Sequence, residues 1–286
     1  MIAVAPSWTL SGRTPHPTIQ RDPRQATEFD KSKAWHKMNG TLRYGLAHGL
    51  SGAMPYYIVT EYPKSGGTWL AQMLSHALGI PFPRNRFPVF RPSILHGHYF
   101  RPGLLRNVVM IWRDPRDVLV SQYYHYLFPN EWGNSLLVRE SRAALGLTDY
   151  DDIRANLPAF INYVYSGRGN PRHTWAEYVD IWYPRERAVH TKYEELRAQP
   201  EAELTRVVAS LTGRKPDPAA IRQAVETYSF ELQAGRKPGQ EDKSSFLRKG
   251  IVGDWKNHFT DEARVALKRH ADRQIVRLGY EKDGNW

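Results

Sequence analysis

The segment Tyr62-Pro63-Lys64-Ser65-Gly66-Gly67-Thr68-Trp69 collects the residue types that hold an anion. Its glycines let the backbone approach closely. The free N–H groups and positive dipole end of a following helix favour phosphate or sulfate. Ser65 and Thr68 add hydroxyls, and Lys64 adds a charge. The segment is not a Walker A loop, which needs G-x-x-x-x-G-K-[ST]; no Gly-Lys pair occurs anywhere in the chain. For Ser-Gly-Gly-Thr alone, an ordinary strand-to-helix turn is the plain alternative. The complete string with Lys64 and Trp69 favours the anion loop.

A second constellation is Ile111-Trp112-Arg113-Asp114-Pro115-Arg116-Asp117. The apolar run Val108 to Trp112 before it reads as a buried strand. Open α/β sheets bind ligands at the carboxyl ends of their strands, and Arg113 leaves the strand there. Ser121, on the following helix, leans back toward the same place. An arginine plus a hydroxyl makes a phosphate clamp. Asp114 is a Walker B acid or a helix N-cap; without a Walker A loop, the N-cap is favoured. Late in the chain, Arg248-Lys249-Gly250 sets two cations beside a glycine with an accessible N–H. Alone, Arg-Lys-Gly reads as a solvated loop; its long flank, Phe246 to Asn257, strengthens the anion reading.

These residues need elements to hold them. Tyr56 to Thr60 is β-branched and aromatic, hence a strand, and Pro63 to Gly67 breaks it. Trp69, Leu70, Met73, Leu74, Ala77 and Leu78 recur at helical spacing until Gly79 stops the helix. Asn107 to Trp112 is a second strand. Asp114, Pro115 and Asp117 suit the start of a helix running to Leu127. Ala188 to Tyr193 reads as a third central strand. Helices are expected over Trp175–Trp182, Glu201–Leu211, Pro218–Tyr228 and Asp261–Leu278. The alternation predicts an α/β, P-loop-like three-layer fold: a central parallel sheet flanked by helices on both faces. Residues 1–50 lack sustained periodicity and read as a loosely structured arm with short helices around Ala34 to Leu50. Residues 51–286 read as a single domain.

Composition narrows the partners. The chain has 286 residues, 40 Lys+Arg against 29 Asp+Glu, and a formal net charge of +11. That balance favours anionic partners or simply a basic soluble protein. Cysteine is absent, which excludes a disulfide framework, a thiolate metal site and a cysteine nucleophile. No apolar run approaches the roughly 20 residues that span a bilayer. No leader pattern precedes the arm, so a cytoplasmic protein is expected.

Taken together, three segments resemble the cytosolic-type sulfotransferase family, which uses 3′-phosphoadenosine 5′-phosphosulfate. They are Y-P-K-S-G-G-T-W-L at 62–70, W-R-D-P-R-D-V-L-V-S-Q-Y-Y at 112–124 and R-K-G-I-V-G-D-W-K-N-H-F-T at 248–260. Their order and spacing carry the likeness from about Tyr56 to Thr260.

The resemblance implies roles residue by residue. Lys64, Ser65, Gly66, Gly67, Thr68 and Trp69 would form the loop for the 5′-phosphosulfate, with Trp69 near the adenine. Arg113, Ser121, Arg248, Lys249 and Gly250 would hold the 3′-phosphate. Tyr193, in K-Y-E-E-L, would lie near the adenine. Tyr228-Ser229-Phe230 matches a T-S-F triplet, making Phe230 a stacking partner and Ser229 its neighbour; the first position departs. Lys64, His98 and Ser121 would be catalytic: Lys64 for the leaving oxygen, Ser121 to restrain Lys64, and His98 as general base. The family pattern K-x-H falls on His96-Gly97-His98, so its lysine is replaced by His96. His96 therefore stays open as an alternative base. A Thr-Val dimer motif is expected after K-N-H-F, yet Thr260 is followed by Asp261. The family's dimer mode is not carried over, and no metal is implied.

Two other readings stay open. An ATP-dependent phosphotransferase would share the strand–loop–helix logic but lacks Gly-Lys-Ser/Thr. A polyanion or nucleic-acid module would exploit the charge and the 10 Phe, 9 Trp and 16 Tyr, and should show one basic stripe. The favoured reading has no nucleic-acid partner. The acceptor, a small molecule or a glycan hydroxyl, is left open. Tyr123, Tyr124, Tyr126, Phe128, Phe82, Phe87, Phe90, Tyr99 and Phe100 are candidates for its pocket or for core.

Overall fold

The computed structural model describes residues 33–51, 53–54, 56–84, 90–168 and 171–286. Residues 1–32 of the expected arm, and Phe87, lie outside the described residues.

Four strands form one fully parallel sheet: β1 Tyr56–Glu61, β2 Ser93–Gly97, β3 Val108–Trp112 and β4 Val189–Lys192, in the order β2-β1-β3-β4. Val59 of β1 stands opposite His96 of β2 and Val109 of β3. Alternate side chains feed two cores. Tyr56, Ile58, Val108, Met110 and Trp112 enter one; Val59, Val109 and Ile111 enter the other. A strand covered on both faces has no polar side, which is why β3 is apolar at every position.

Helices supply both covers. On one side lie α2 Gly67–Leu78, α8 Pro200–Thr212 and α9 Pro218–Thr227, which bury Leu70, Met73, Leu74, Leu204, Val207 and Ile221. On the other lie α3 Pro115–Leu127, α5 Ile153–Tyr165, α6 Trp175–Trp182 and α11 Asp261–Arg277, around Tyr123, Phe160, Trp175, Trp182 and Leu267. Each such large side chain contributes about 2–3 kcal/mol by leaving water. Smaller elements complete the chain: α1 Lys33–Leu50, α4 Ser135–Leu145, α7 Tyr193–Ala198, α10 Phe230–Ala234 and a 3₁₀ turn at Asp254–Asn257. Among the described residues, no helix is long and apolar enough to cross a membrane.

Several elements differ from the sequence expectation. β4 is an edge strand of the described sheet, not a central one, and is only partly buried. It ends at Lys192, and Tyr193 opens α7. β3 starts at Val108 because Asn107 has the left-handed φ of 51°. Residues 33–50 form one helix rather than short pieces, and Ala47 is fully buried against the core that holds Tyr56 and Tyr99. Pro158 inside α5 masked its helical pattern. Asp114 caps α3: its carboxylate accepts the Arg116 N–H at 2.9 Å and also grips the Arg116 guanidinium.

Candidate active site

β1 ends at Glu61, and the chain turns through Tyr62 to Gly66 into α2. Lys64 takes the left-handed φ of 76°, a conformation that costs a non-glycine residue about 1 kcal/mol. Its Nζ lies 3.6 Å from the centre of the Phe246 ring, a cation–π contact. Burial first, then the positive fields of Arg113 and Arg248, bring the Lys64 pKa down to about 7, against the opposing pull of Glu61 and Glu131. Ser65 is 1% exposed, and its Oγ meets no partner among the described residues. Arg113 Nε is likewise buried and unpaired. Unpaired buried donors are costly, so both fit a site built for an anion.

Arg113 braces the loop from below. It donates to the Lys64 carbonyl at 3.1 Å and stacks 4.4 Å from the centre of the Tyr193 ring. Tyr193 in turn presses on Gly66, where a Cβ would come within 2.7 Å of its ring. Trp69 meets Tyr193 edge-on at 5.7 Å and donates from Nε1 to the Tyr228 carbonyl at 2.8 Å. Gly250, with φ 65°, lies so close to Phe230 that any Cβ would penetrate the ring. Ser229 caps α10, its Oγ accepting the Leu232 N–H at 3.4 Å. Its hydroxyl thus caps the short helix that Phe230 opens.

The Arg-Lys-Gly segment is gathered by one buried acid. Asp254 takes Arg248 at 2.5 Å, Lys249 at 2.6 Å and Asn257 at 3.0 Å. Burial pushes its carboxyl up. Hydrogen bonds from His258, Lys249 and Arg248 win, however, and hold it far below the usual carboxylate range. Asp117 of α3 accepts the Gly253 and Trp255 N–H groups at 2.7 and 2.9 Å, fastening this loop to the helix that carries Ser121. Arg197 donates to the Gly250 carbonyl at 2.9 Å. Lys64, Ser121 and Arg248 consequently line one narrow cleft, with Tyr124, His125 and Phe246. Arg113 is not in that lining; it reaches the loop from the Tyr193 side. His125 is held neutral, its pKa pushed down to about 3 by burial and then by Lys64.

The histidines sit at the end of β2. His98, one residue past the strand, is exposed. Its Nδ1 is 3.0 Å from the Glu61 carbonyl oxygen. A carbonyl only accepts, so Nδ1 carries the proton and Nε2 keeps its lone pair. Crowding by protein lowers the His98 pKa, Glu61 opposes this, and His96 adds to it. His96 instead directs Nε2 at the Glu61 carboxylate, 3.1 Å away. That carboxylate also accepts the Gly67 N–H at the start of α2.

The aromatic candidates divide. Tyr99, Tyr123 and Tyr126 are core. Tyr124 lines the cleft, and Phe128 packs partly against the core. Phe82 meets His96 edge-on at 6.3 Å, and Phe100 stacks on His173 at 4.4 Å. Phe90 is 73% exposed. The sequence reading missed Glu61, Asp254, His125, His173 and Phe246. An acid ending a β-branched strand, and Gly-Asp-Trp after Arg-Lys-Gly, were the available signals.

A family model described as "Sulfotransferase domain" matches residues 87–279, about two thirds of the chain. Sulfotransferase 1E1 of Cavia porcellus is 24% identical over 265 residues, covering 76% of this chain and 82% of its own. Sulfotransferase 2A1 of Rattus norvegicus is 26% identical over 244 residues, covering 71% and 78%. Among solved structures, mouse sulfotransferase SULT7A1 complexed with PAP aligns with a TM-score of 0.56 at 17% identity, covering 82% of this chain and 91% of that one. Retinol dehydratase in complex with androsterone and PAP aligns with a TM-score of 0.51 at 16% identity, covering 81% and 85%. The structural likeness is one of fold.

Proposed function

Because the chain belongs to the sulfotransferase domain family, we propose that it transfers the sulfuryl group of 3′-phosphoadenosine 5′-phosphosulfate to a hydroxyl acceptor, a small molecule or a glycan. The observation that carries this is the shared cleft of Lys64, Ser121 and Arg248, three residues from three distant motifs. The orphaned Ser65 Oγ within the loop and Arg113 Nε on its Tyr193 side support an anion bound at this loop.

Lys64, Ser65, Gly66, Gly67, Thr68 and the start of α2 would hold the 5′-phosphosulfate. Arg113, Ser121, Arg248, Lys249 and the Gly250 N–H would hold the 3′-phosphate. Trp69, Tyr193 and Phe230, with Ser229 capping the helix that Phe230 opens, would frame the adenine. The donor supplies the sulfuryl group: the acceptor oxygen–sulfur bond forms as the bond from sulfur to the 5′-phosphate oxygen breaks, and that oxygen keeps the electron pair. Protonated Lys64 stabilises the charge growing on the leaving oxygen. With His98 Nδ1–H held by the Glu61 carbonyl, the unprotonated Nε2 takes the acceptor proton. His96 is the poorer base, because its Nε2 is committed to the Glu61 carboxylate.

The test is transfer of labelled sulfur from the donor to two acceptor pools, one of small phenols, alcohols and lipids, the other of polysaccharides. Lys64→Ala is expected to lower turnover about a hundredfold while PAP still raises the melting temperature. His98→Ala should lose a comparable factor with PAP binding intact. An active His98→Ala beside an inactive His96→Ala would exchange the two histidines. No transfer to either pool, with no thermal shift from PAP, would end the sulfotransferase reading.

A further inference from the structure

Glu61 is 4% exposed, yet it makes three separate polar contacts at the junction of β1, β2 and α2. Its backbone carbonyl takes His98 Nδ1–H at 3.0 Å. Its carboxylate faces His96 Nε2 at 3.1 Å and accepts the Gly67 N–H. A Cβ on Gly67 would sit 2.6 Å from the Glu61 carboxyl carbon and 2.8 Å from His96 Nε2, so only glycine lets this carboxylate reach the helix start. A buried carboxylate with these partners is ionised: burial raises its pKa, but His96, His98 and the Gly67 N–H bring it below the ordinary value.

We propose that Glu61 is a positioning residue for proton transfer in the reaction proposed above: its carbonyl fixes the His98 tautomer, and its carboxylate balances the positive charge His98 acquires. The inference rests on that reaction. When the acceptor oxygen bonds to sulfur, its proton moves to His98 Nε2 and the imidazole becomes an imidazolium. The charge appears in the field of a carboxylate already held by the Gly67 N–H and by His96, whose ring centre is 5.7 Å from that of His98, so little reorganisation is needed. The groups facing His98 are Glu61 from β1, His96 from β2 and His173 from the segment before α6. Those facing Glu61 are His96, His98, the Gly67 N–H, Lys64 and the Tyr178 ring of α6. Glu61 is therefore the acid that faces both His96 and His98. A carboxylate that only capped α2 would affect stability and leave the proton affinity of His98 unchanged.

The experiment uses full-length protein with ¹⁵N-labelled histidine, the His98 signals being assigned by difference against His98→Ala. In the wild type, Nδ1 should be protonated and Nε2 not. In Glu61→Gln the tautomer should persist, because the backbone carbonyl remains. The His98 pKa should fall by about one unit, since a negative charge that favoured the imidazolium is gone. The acid limb of the kcat/KM pH profile should move down with it, and kcat should fall about tenfold. A wild-type Nε2–H tautomer, or a His98 pKa that stays within about 0.2 unit in Glu61→Gln, overturns the proposal. Should Glu61→Gln not fold, Glu61→Asp retains the charge and should keep His98 within about half a unit of wild type; a fall of a full unit overturns the proposal. A wild-type protein that transfers no sulfuryl group overturns the reaction instead, and the NMR titration then judges the Glu61–His98 coupling by itself.

Discussion

A buried ammonium group facing two guanidinium groups holds its proton weakly, even with an aromatic ring against it. Lys64 is in that position, with a pKa near 7 instead of the usual value above 10. At pH 8 most of it is neutral in the free protein. Two phosphate-type groups nearby would favour the ammonium again, so nucleotide binding should take up a proton. At that pH a phosphate monoester is already ionised and contributes little to the uptake. Calorimetry of PAP binding at pH 8, in buffers of different ionisation enthalpy, should find about one proton taken up by the wild type and far less by Lys64→Ala. Equal uptake in the two would mean that Lys64 does not gain a proton when PAP binds. Lys64 was legible as a cation at an anion loop. Its weakened hold on the proton was not, because Arg113 and Arg248 come from other motifs and only folding sets them near it. His98 was legible as a candidate base through resemblance alone; the carbonyl that sets its tautomer belongs to a neighbouring strand.

At the scale of elements, the site depends on how the late loop is tied to α3. Asp117 holds the Gly253 and Trp255 N–H groups, and Asp254 gathers Arg248 and Lys249. In the free protein the two cations thus already converge, and binding does not have to order them. Asp254→Asn should keep the shape and remove the charge. The expected outcome is PAP affinity about tenfold weaker, with stability lower by about 3 kcal/mol, because a buried ion cluster loses its counter-charge. Unchanged affinity in titration would make the Asp254 cluster purely structural. The tie also sets a pH dependence. A carboxyl whose pKa is depressed by folding gives stability that is present above the unfolded value and lost as pH falls toward the folded one. Local pattern foresaw β1, α2, β3, α3, α6, α8, α9 and α11 within a few residues. It also placed the strand at Ala188 to Tyr193 within one residue of β4 at each end, but not its position at the sheet edge, which strand pairing and not local pattern decides.

For the whole molecule, the net charge of +11 and the cations gathered at the cleft should draw an anionic nucleotide by long-range attraction. The association rate of PAP in stopped-flow is expected to fall about tenfold between 20 and 300 mM salt, with dissociation changing far less. A flat association rate would mean that the surplus charge lies elsewhere on the surface. The sequence by itself determined the strand–loop–helix logic, the three segments proposed to bind anions and the layered parallel sheet. Glycine, proline, capping residues and apolar periodicity act over a few positions, and so they are readable along the chain. Only the tertiary structure decided that Ser121 and Arg248 share the Lys64 cleft while Arg113 approaches from the Tyr193 side. It also decided that a single acid, Glu61, reaches His96, His98 and the start of α2 at once. Those relations are set by parallel strands ending side by side, which brings residues remote in sequence within hydrogen-bonding distance, and no local pattern encodes which of them will meet.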